Sequence, residues 1–204
     1  MKNFIRKTVR RATGKTGATR DASEGVIADV AHIRKRARRH IENGAVTDDY
    51  KADRDAIIKL LNEALATELV CALRYRRHHF MATGLEAEPA AAEFLEHANE
   101  EMQHADSLAT RIVQLGGEPD FSPAKLADRS HSEYVPCNTL REMLQENLVA
   151  ERLAIDIYGR IIRFIGEDDP TTRRMLEDIL ANEEEHADDL ASLLDRGETQ
   201  TAIA

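Results

Sequence analysis

Cysteine is nearly absent from this 204-residue chain: there are two, Cys71 and Cys137, and no Cys-x-x-Cys pair. That count excludes a disulfide framework, a zinc ribbon and a rubredoxin-type iron site. No apolar run approaches the length of a bilayer span. The basic N-terminus lacks the apolar core of a secretory signal, so the expected compartment is the cytoplasm. Tryptophan is missing altogether, proline (five) and glycine (ten) are sparse, and charged residues make up 32%. Such a composition suits an all-α protein. The length allows one domain with a sizeable core plus an appendage.

Positive charge is scarce everywhere except at the start. Residues 1–44 carry 12 Lys/Arg against 4 Asp/Glu, whereas the remainder carries 16 against 33. An acidic body with a basic head suggests an interaction tail. Residues 1–24 are rich in Lys, Arg, Thr and Gly and read as a disordered head. Within 25–44, Val26, Val30, Ile33, Ala37 and Ile41 recur at helical spacing, and Arg34, Lys35, Arg36, Arg38 and Arg39 occupy the other face. This is an amphipathic helix. It either docks with its charged face solvated or contacts an anionic surface, such as nucleic acid or a shell protein. No aromatic residues interleave with the basic ones, which weighs against a single-strand reader.

Four long helices follow. The first runs from about Asp53 to Ala82, with Leu61, Leu65, Glu68, Ala72, Tyr75 and His79 on its inner stripe. The second opens at Pro89, a favoured first-turn residue, and stops at Gly116-Gly117. About 20 residues up to Asn138 then contain Pro119, Pro123 and Pro136 and read as helix-free. Thr139, with Glu142 three residues on, is a capping box for the third helix, whose stripe includes Leu144, Leu148, Glu151, Ile155 and Tyr158. Asp169-Pro170 is an N-cap and first-turn proline for the fourth, with Gly197 at its end. The domain reading is a bundle over 53–195 with a tail at 196–204.

Two short words organise the bundle. Glu101 to His104 and Glu183 to His186 are each Glu-x-x-His, which sets a carboxylate and an imidazole on one helix face. Each follows, by 33 or 32 residues, a Glu embedded in an apolar run: Glu68 and Glu151. At about 1.5 Å per residue, Glu68 lies roughly 24 Å before the Gly84 turn and Glu101 roughly 18 Å after Pro89. The second hairpin gives roughly 22 and 20 Å. Lone Glu and Glu-x-x-His therefore meet at similar heights twice. Glu68 and Tyr75 are seven apart, as are Glu151 and Tyr158, so the hairpins form an internal repeat with a pseudo-twofold axis. Four Glu and two His from four helices is a carboxylate-bridged two-metal ligand set. Buried together, four carboxylates need compensation, and two divalent cations bring +4. Mixed oxygen and nitrogen ligation suits iron or manganese. The competing account makes these residues surface salt bridges on Glu-rich helices. Tyr75 is either a redox-active or supporting phenol or an ordinary buried tyrosine. Cys71 reads as a small core residue, and His97 as a partly exposed polar one.

These words resemble the ferritin-like diiron superfamily, bacterioferritins above all, over roughly residues 53–195. Leu-Ala-Thr-Glu-Leu-Val-Cys-Ala-Leu-Arg-Tyr resembles the bacterioferritin first-helix word, and Glu-Met-Gln-His-Ala-Asp the second-helix word. The resemblance implies a ferritin-like four-helix bundle with one long crossover between its second and third helices. It implies bridging Glu101 and Glu183, terminal Glu68 and Glu151, and nitrogen ligands His104 and His186. It implies a ferroxidase that binds two Fe(II), oxidises them with dioxygen or peroxide, and stores or releases Fe(III). Met102 matches a methionine that in bacterioferritins ligates haem b across a twofold dimer interface; an apolar interface methionine is the alternative. A homo-oligomer containing at least that dimer is expected. The chain departs from the family in its basic head, its longer crossover, the missing short fifth helix and Glu96 where the family has an inner-surface His. Starvation miniferritins also carry basic tails, but they build their iron site between subunits, whereas all six ligands here lie in one bundle. The rival functions are a rubrerythrin-like diiron peroxidase or oxygenase, and a nucleic-acid or shell-docking protein acting through residues 1–44.

Overall fold

The computed structural model describes residues 29–84 and 87–201, with side chains through residue 195. It divides into two units, Met1–Glu42 and Asn43–Ala204. In the first, Asp29 caps α1 (Val30–Arg36) by accepting the His32 amide at 2.9 Å. The helix expected over 25–42 is cut short: His40 takes a left-handed φ of 47°, and a 3-10 turn follows at Ile41–Asn43. Like charges at i,i+4 along Arg34–Arg39 oppose a longer helix. Neither α1 nor the 3-10 turn buries a residue; Val30 and Ile33 are exposed. The expected head at 1–24, and Val26 with it, lie outside the described residues.

In the second unit, Asp53 caps α2 (Arg54–Met81), accepting the Ala56 amide. Ile57, Leu61, Leu65, Ala72 and Tyr75 form its buried stripe, with His78 in place of the expected His79. α3 (Glu88–Gln114) begins with Pro89 and ends where Gly116, at φ 81°, and Gly117 return their amides to Val113 and Ile112. That is a Schellman close, which a residue with a side chain adopts only under strain. The crossover contains one helical turn, α4 (Leu126–Arg129), which its prolines had argued against. Pro123 precedes the turn, and Pro119 and Pro136 lie well outside it, so none interrupts a helical hydrogen bond. α5 (Leu140–Ile165) has the expected capping box at Thr139 and Glu142, and α6 is Pro170–Thr201. α6 runs through Gly197; a single glycine costs a helix only about 1 kcal/mol relative to alanine. No helix among the described residues is long and apolar enough to cross a membrane.

α2 packs against α3, and α5 against α6, as two hairpins. The crossover travels along α2. Glu118 and Asp120 bond Asn62, His131 bonds Thr67, Ser132 and Glu133 bond Arg74, and Val135 and Pro136 bond His78. Asn62 to His78 is roughly 24 Å of helix, so the connection carries the chain from one end of the bundle to the other. The interior has two apolar clusters. One gathers Ile57, Leu61, Leu65, Leu108, Ile112, Ile161 and Leu176; the other gathers Phe94, Ala98, Met143, Leu144 and Leu190.

Candidate metal centre

Between the apolar clusters lies a polar layer. Glu68 on α2, Glu101 and His104 on α3, Glu151 on α5, and Glu183 and His186 on α6 are all buried, none more than 7% exposed. They form two overlapping groups. Glu68, Glu101, His104 and Glu183 offer ligand atoms within 4.8 Å of one another, and so do Glu101, Glu151, Glu183 and His186. His104 Nδ1 stands 3.4 Å from Glu68, 3.6 Å from Glu101 and 3.1 Å from Glu183. His186 Nδ1 stands 4.0 Å from Glu101, 4.0 Å from Glu151 and 3.8 Å from Glu183. Glu101 and Glu183 belong to both groups.

Glu68 Oε2, Glu101 Oε1, both Glu183 oxygens and both Nδ1 atoms are buried without a hydrogen-bond partner. A buried polar atom left unpaired costs roughly 1–3 kcal/mol, and six such atoms converging on two points fit a pair of cations. The outward ring nitrogens are held: His186 Nε2 sits 2.7 Å from Glu100, and His104 Nε2 sits 3.4 Å from Asn182. Such support fixes ring orientation toward an ion.

The titration behaviour follows from crowding. Burial, then the charges of Glu183 and Glu68, push the Glu101 carboxyl well above its ordinary value; burial and Glu183 do the same to Glu151. Burial works against a low value at Glu183, but the two imidazoles beside it hold its carboxyl down. Burial would lower His104, yet Glu183 and Glu68 carry it to about 10.

Tyr75 donates to Glu151, on the opposite hairpin, while Tyr158 donates to Glu68. Seven residues of helix separate Tyr75 from Glu68 by roughly 10 Å, and the facing hairpin fills that level. His97, expected to be partly exposed, is buried at 1%. Its ring stacks on His186 at 4.0 Å and meets Tyr75 edge-on; burial and His186 lower its pKa to about 3. Its spacing of four from Glu101 and seven from His104 was the signal on the sequence that placed it on their face. Arg74 was not read as a site residue. Its buried guanidinium bonds Asn147, Ser132 and Glu133. The pull of Cys71, Tyr75, Glu151 and Glu101 outweighs the burial that opposes its charge. Cys71 is buried, which pushes its thiol up to about 12. Met102, one residue on from Glu101, is 38% exposed. An open groove between α3 and α6, lined by Gln103, His104, Ser107, Thr171, Ile179 and Asn182, reaches the layer at His104.

Residues 58–199 match the ferritin-like domain model of the ferritin family. The chain is 33% identical over 137 residues to a nutrient stress-induced DNA-binding protein of Synechococcus, covering 66% of this chain and 78% of that one. It is 31% identical over 140 residues to a bacterioferritin of Mycobacterium avium, covering 68% and 84%. Among solved structures, a dodecameric thioferritin, described as a bacterioferritin-related protein from Bacteroides fragilis, superposes with a TM-score of 0.71 at 33% identity, covering 74% of this chain and 92% of that one.

Proposed function

The chain belongs to the ferritin-like family, and from that premise we propose that it is a bacterioferritin-like ferroxidase acting on two irons within one bundle. Glu101 and Glu183, common to both groups, would serve both irons; Glu68 and His104 would hold one with them, and Glu151 and His186 the other. Four carboxylates against two divalent cations leave the layer close to neutral, which a buried site requires. Iron, as substrate, would supply the redox chemistry: two Fe(II) would give one electron each to dioxygen or peroxide, which takes up two protons and becomes peroxide or water, and the Fe(III) would be stored or released.

The protein's own part is binding and positioning. Tyr75 and Tyr158 orient the terminal carboxylates; Glu100 and Asn182 aim the imidazoles. The groove at His104 is the entry route. The observation that carries the reading is the convergence of six unpaired buried ligand atoms. Stopped-flow Fe(II) oxidation tests it: E101A is expected to abolish the fast phase, and unchanged kinetics would end the ferroxidase reading. Turnover of peroxide with an external reductant and no iron accumulation would favour a rubrerythrin-like peroxidase instead.

Iron is proposed over manganese, and elemental analysis of protein purified without added metal decides between them. Met102 is the proposed haem ligand in a twofold dimer of a homo-oligomer; a Soret band in the same sample tests it. A second reading concerns residues 1–44, whose basic excess fits an anionic partner. The Synechococcus relative is a DNA-binding protein by name. If residues 1–44 hold DNA, deleting them abolishes gel retardation and leaves iron oxidation intact.

A further inference from the structure

One cluster of ligand-type residues lies outside the six-residue centre. His97, Glu93 and Asp189 each offer one ligand atom within 4.8 Å of the others. His97 Nε2 is 3.2 Å from a Glu93 oxygen and 4.0 Å from an Asp189 oxygen. His97 is 1% exposed, and its Nε2 is buried with no hydrogen-bond partner.

The hydrogen-bond directions decide what this nitrogen presents. The Tyr75 hydroxyl spends its single proton on Glu151. His97 Nδ1 is 3.3 Å from that hydroxyl oxygen, so the Nδ1–H donates and the oxygen accepts. Nε2, on the other side of the ring, is left with no hydrogen-bond partner and is turned toward the Glu93 and Asp189 oxygens. A buried nitrogen and two carboxylates gathered at one point offer a cation three ligands. Ligands about 2.0–2.2 Å from one ion lie at most about 4.0–4.4 Å apart, and the 3.2 and 4.0 Å separations fall within that limit.

We propose that Glu93, His97 and Asp189 form a third divalent-cation site, beside the His186 half of the centre. One nitrogen and two carboxylates, with the carboxylates partly open to solvent, suit Fe(II) or Mn(II) held together with water. The His97 ring stacked on His186 makes this a staging position for iron next to the oxidation site. That role rests on the ferroxidase reading; the binding itself does not.

Crystals of the full-length protein soaked in Mn(II) test it by anomalous scattering. Three peaks per chain are expected: two among the four glutamates and two histidines, and a third bounded by Glu93, His97 and Asp189. In the E93Q/D189N variant the third peak disappears and the first two remain. Two peaks in the wild type, or a third one lodged elsewhere on the surface, overturn the proposal and leave the ferroxidase reading standing. A third peak that persists in the variant also overturns it. Failure of the first two peaks, with the third present, would sink the two-iron reading alone.

Discussion

Two buried carboxylates of the polar layer are each gripped from the opposite hairpin: Glu151 by Tyr75 on α2, Glu68 by Tyr158 on α5. The exchange is the pseudo-twofold repeat written in hydrogen bonds. Both phenols are buried, and burial together with the carboxylates they face pushes them well above the ordinary tyrosine value, so they remain donors. Y75F and Y158F should each cost about 1–3 kcal/mol, because each leaves a buried carboxylate oxygen unpaired. Similar losses in urea melts are expected; a loss from only one would show that the repeat is not energetically symmetric. Glu101 gives a prediction of opposite sign. Its charge is opposed by burial and by Glu183 and Glu68. Metal-free E101Q is therefore expected to melt at or above the wild-type temperature at pH 7, but to gain less from added Mn(II). A markedly lower melting temperature for the metal-free variant would contradict the account of like-charge crowding.

At the scale of elements, the ends of helices are tied by side chains that carry no chemistry. Asp169 accepts the Thr172 amide at 2.9 Å at the start of α6, and Arg111 Nη2, near the end of α3, donates to both of its oxygens at 2.9 and 3.0 Å. Tyr50 donates to the same carboxylate at 2.7 Å. Burial would raise Asp169, but the Thr172, Tyr50 and Arg111 bonds together hold it below the ordinary value. A depressed carboxyl contributes stability above its unfolded value, near pH 3.9, and that stability is lost as pH falls through the folded value. D169N is therefore expected to lose stability at neutral pH, and the gap from wild type should narrow as pH falls below about 4 in acid melts. At the head of α5, Glu142 accepts the Asn138 and Thr139 amides while Thr139 accepts the Glu142 amide. T139A should cost about 1 kcal/mol in denaturant melts. The crossover hangs on Arg74, whose fork reaches α5 through Asn147 and the loop through Ser132 and Glu133. Lysine keeps the charge but not the fork, so R74K is expected to loosen the crossover, visible as faster amide exchange across residues 130–136.

For the molecule as a whole, the proposed metal binding would be linked to folding. Two apolar clusters hold the bundle at its ends, and the layer between them keeps six buried ligand atoms without hydrogen-bond partners. A cation that binds the folded chain alone stabilises it by about 2.7 kcal/mol at a hundred times its dissociation constant, so the melting temperature should rise with Mn(II) concentration. The four helices, the caps at Thr139 and Asp169, and the face shared by Glu101 with His104 and by Glu183 with His186 were all legible in the sequence. Helical period and capping chemistry act over three or four residues, and no partner is needed to read them. The matched heights of Glu68 and Glu151 with the two words also followed, from the rise per residue. Which side chain touches which across the bundle was not legible. The phenol donors trade hairpins, His97 turns inward to stack on His186, and Arg74 is swallowed by the crossover, because those contacts depend on how four helices are rotated and set against one another. Local sequence fixes a helix's face; only packing decides what that face meets.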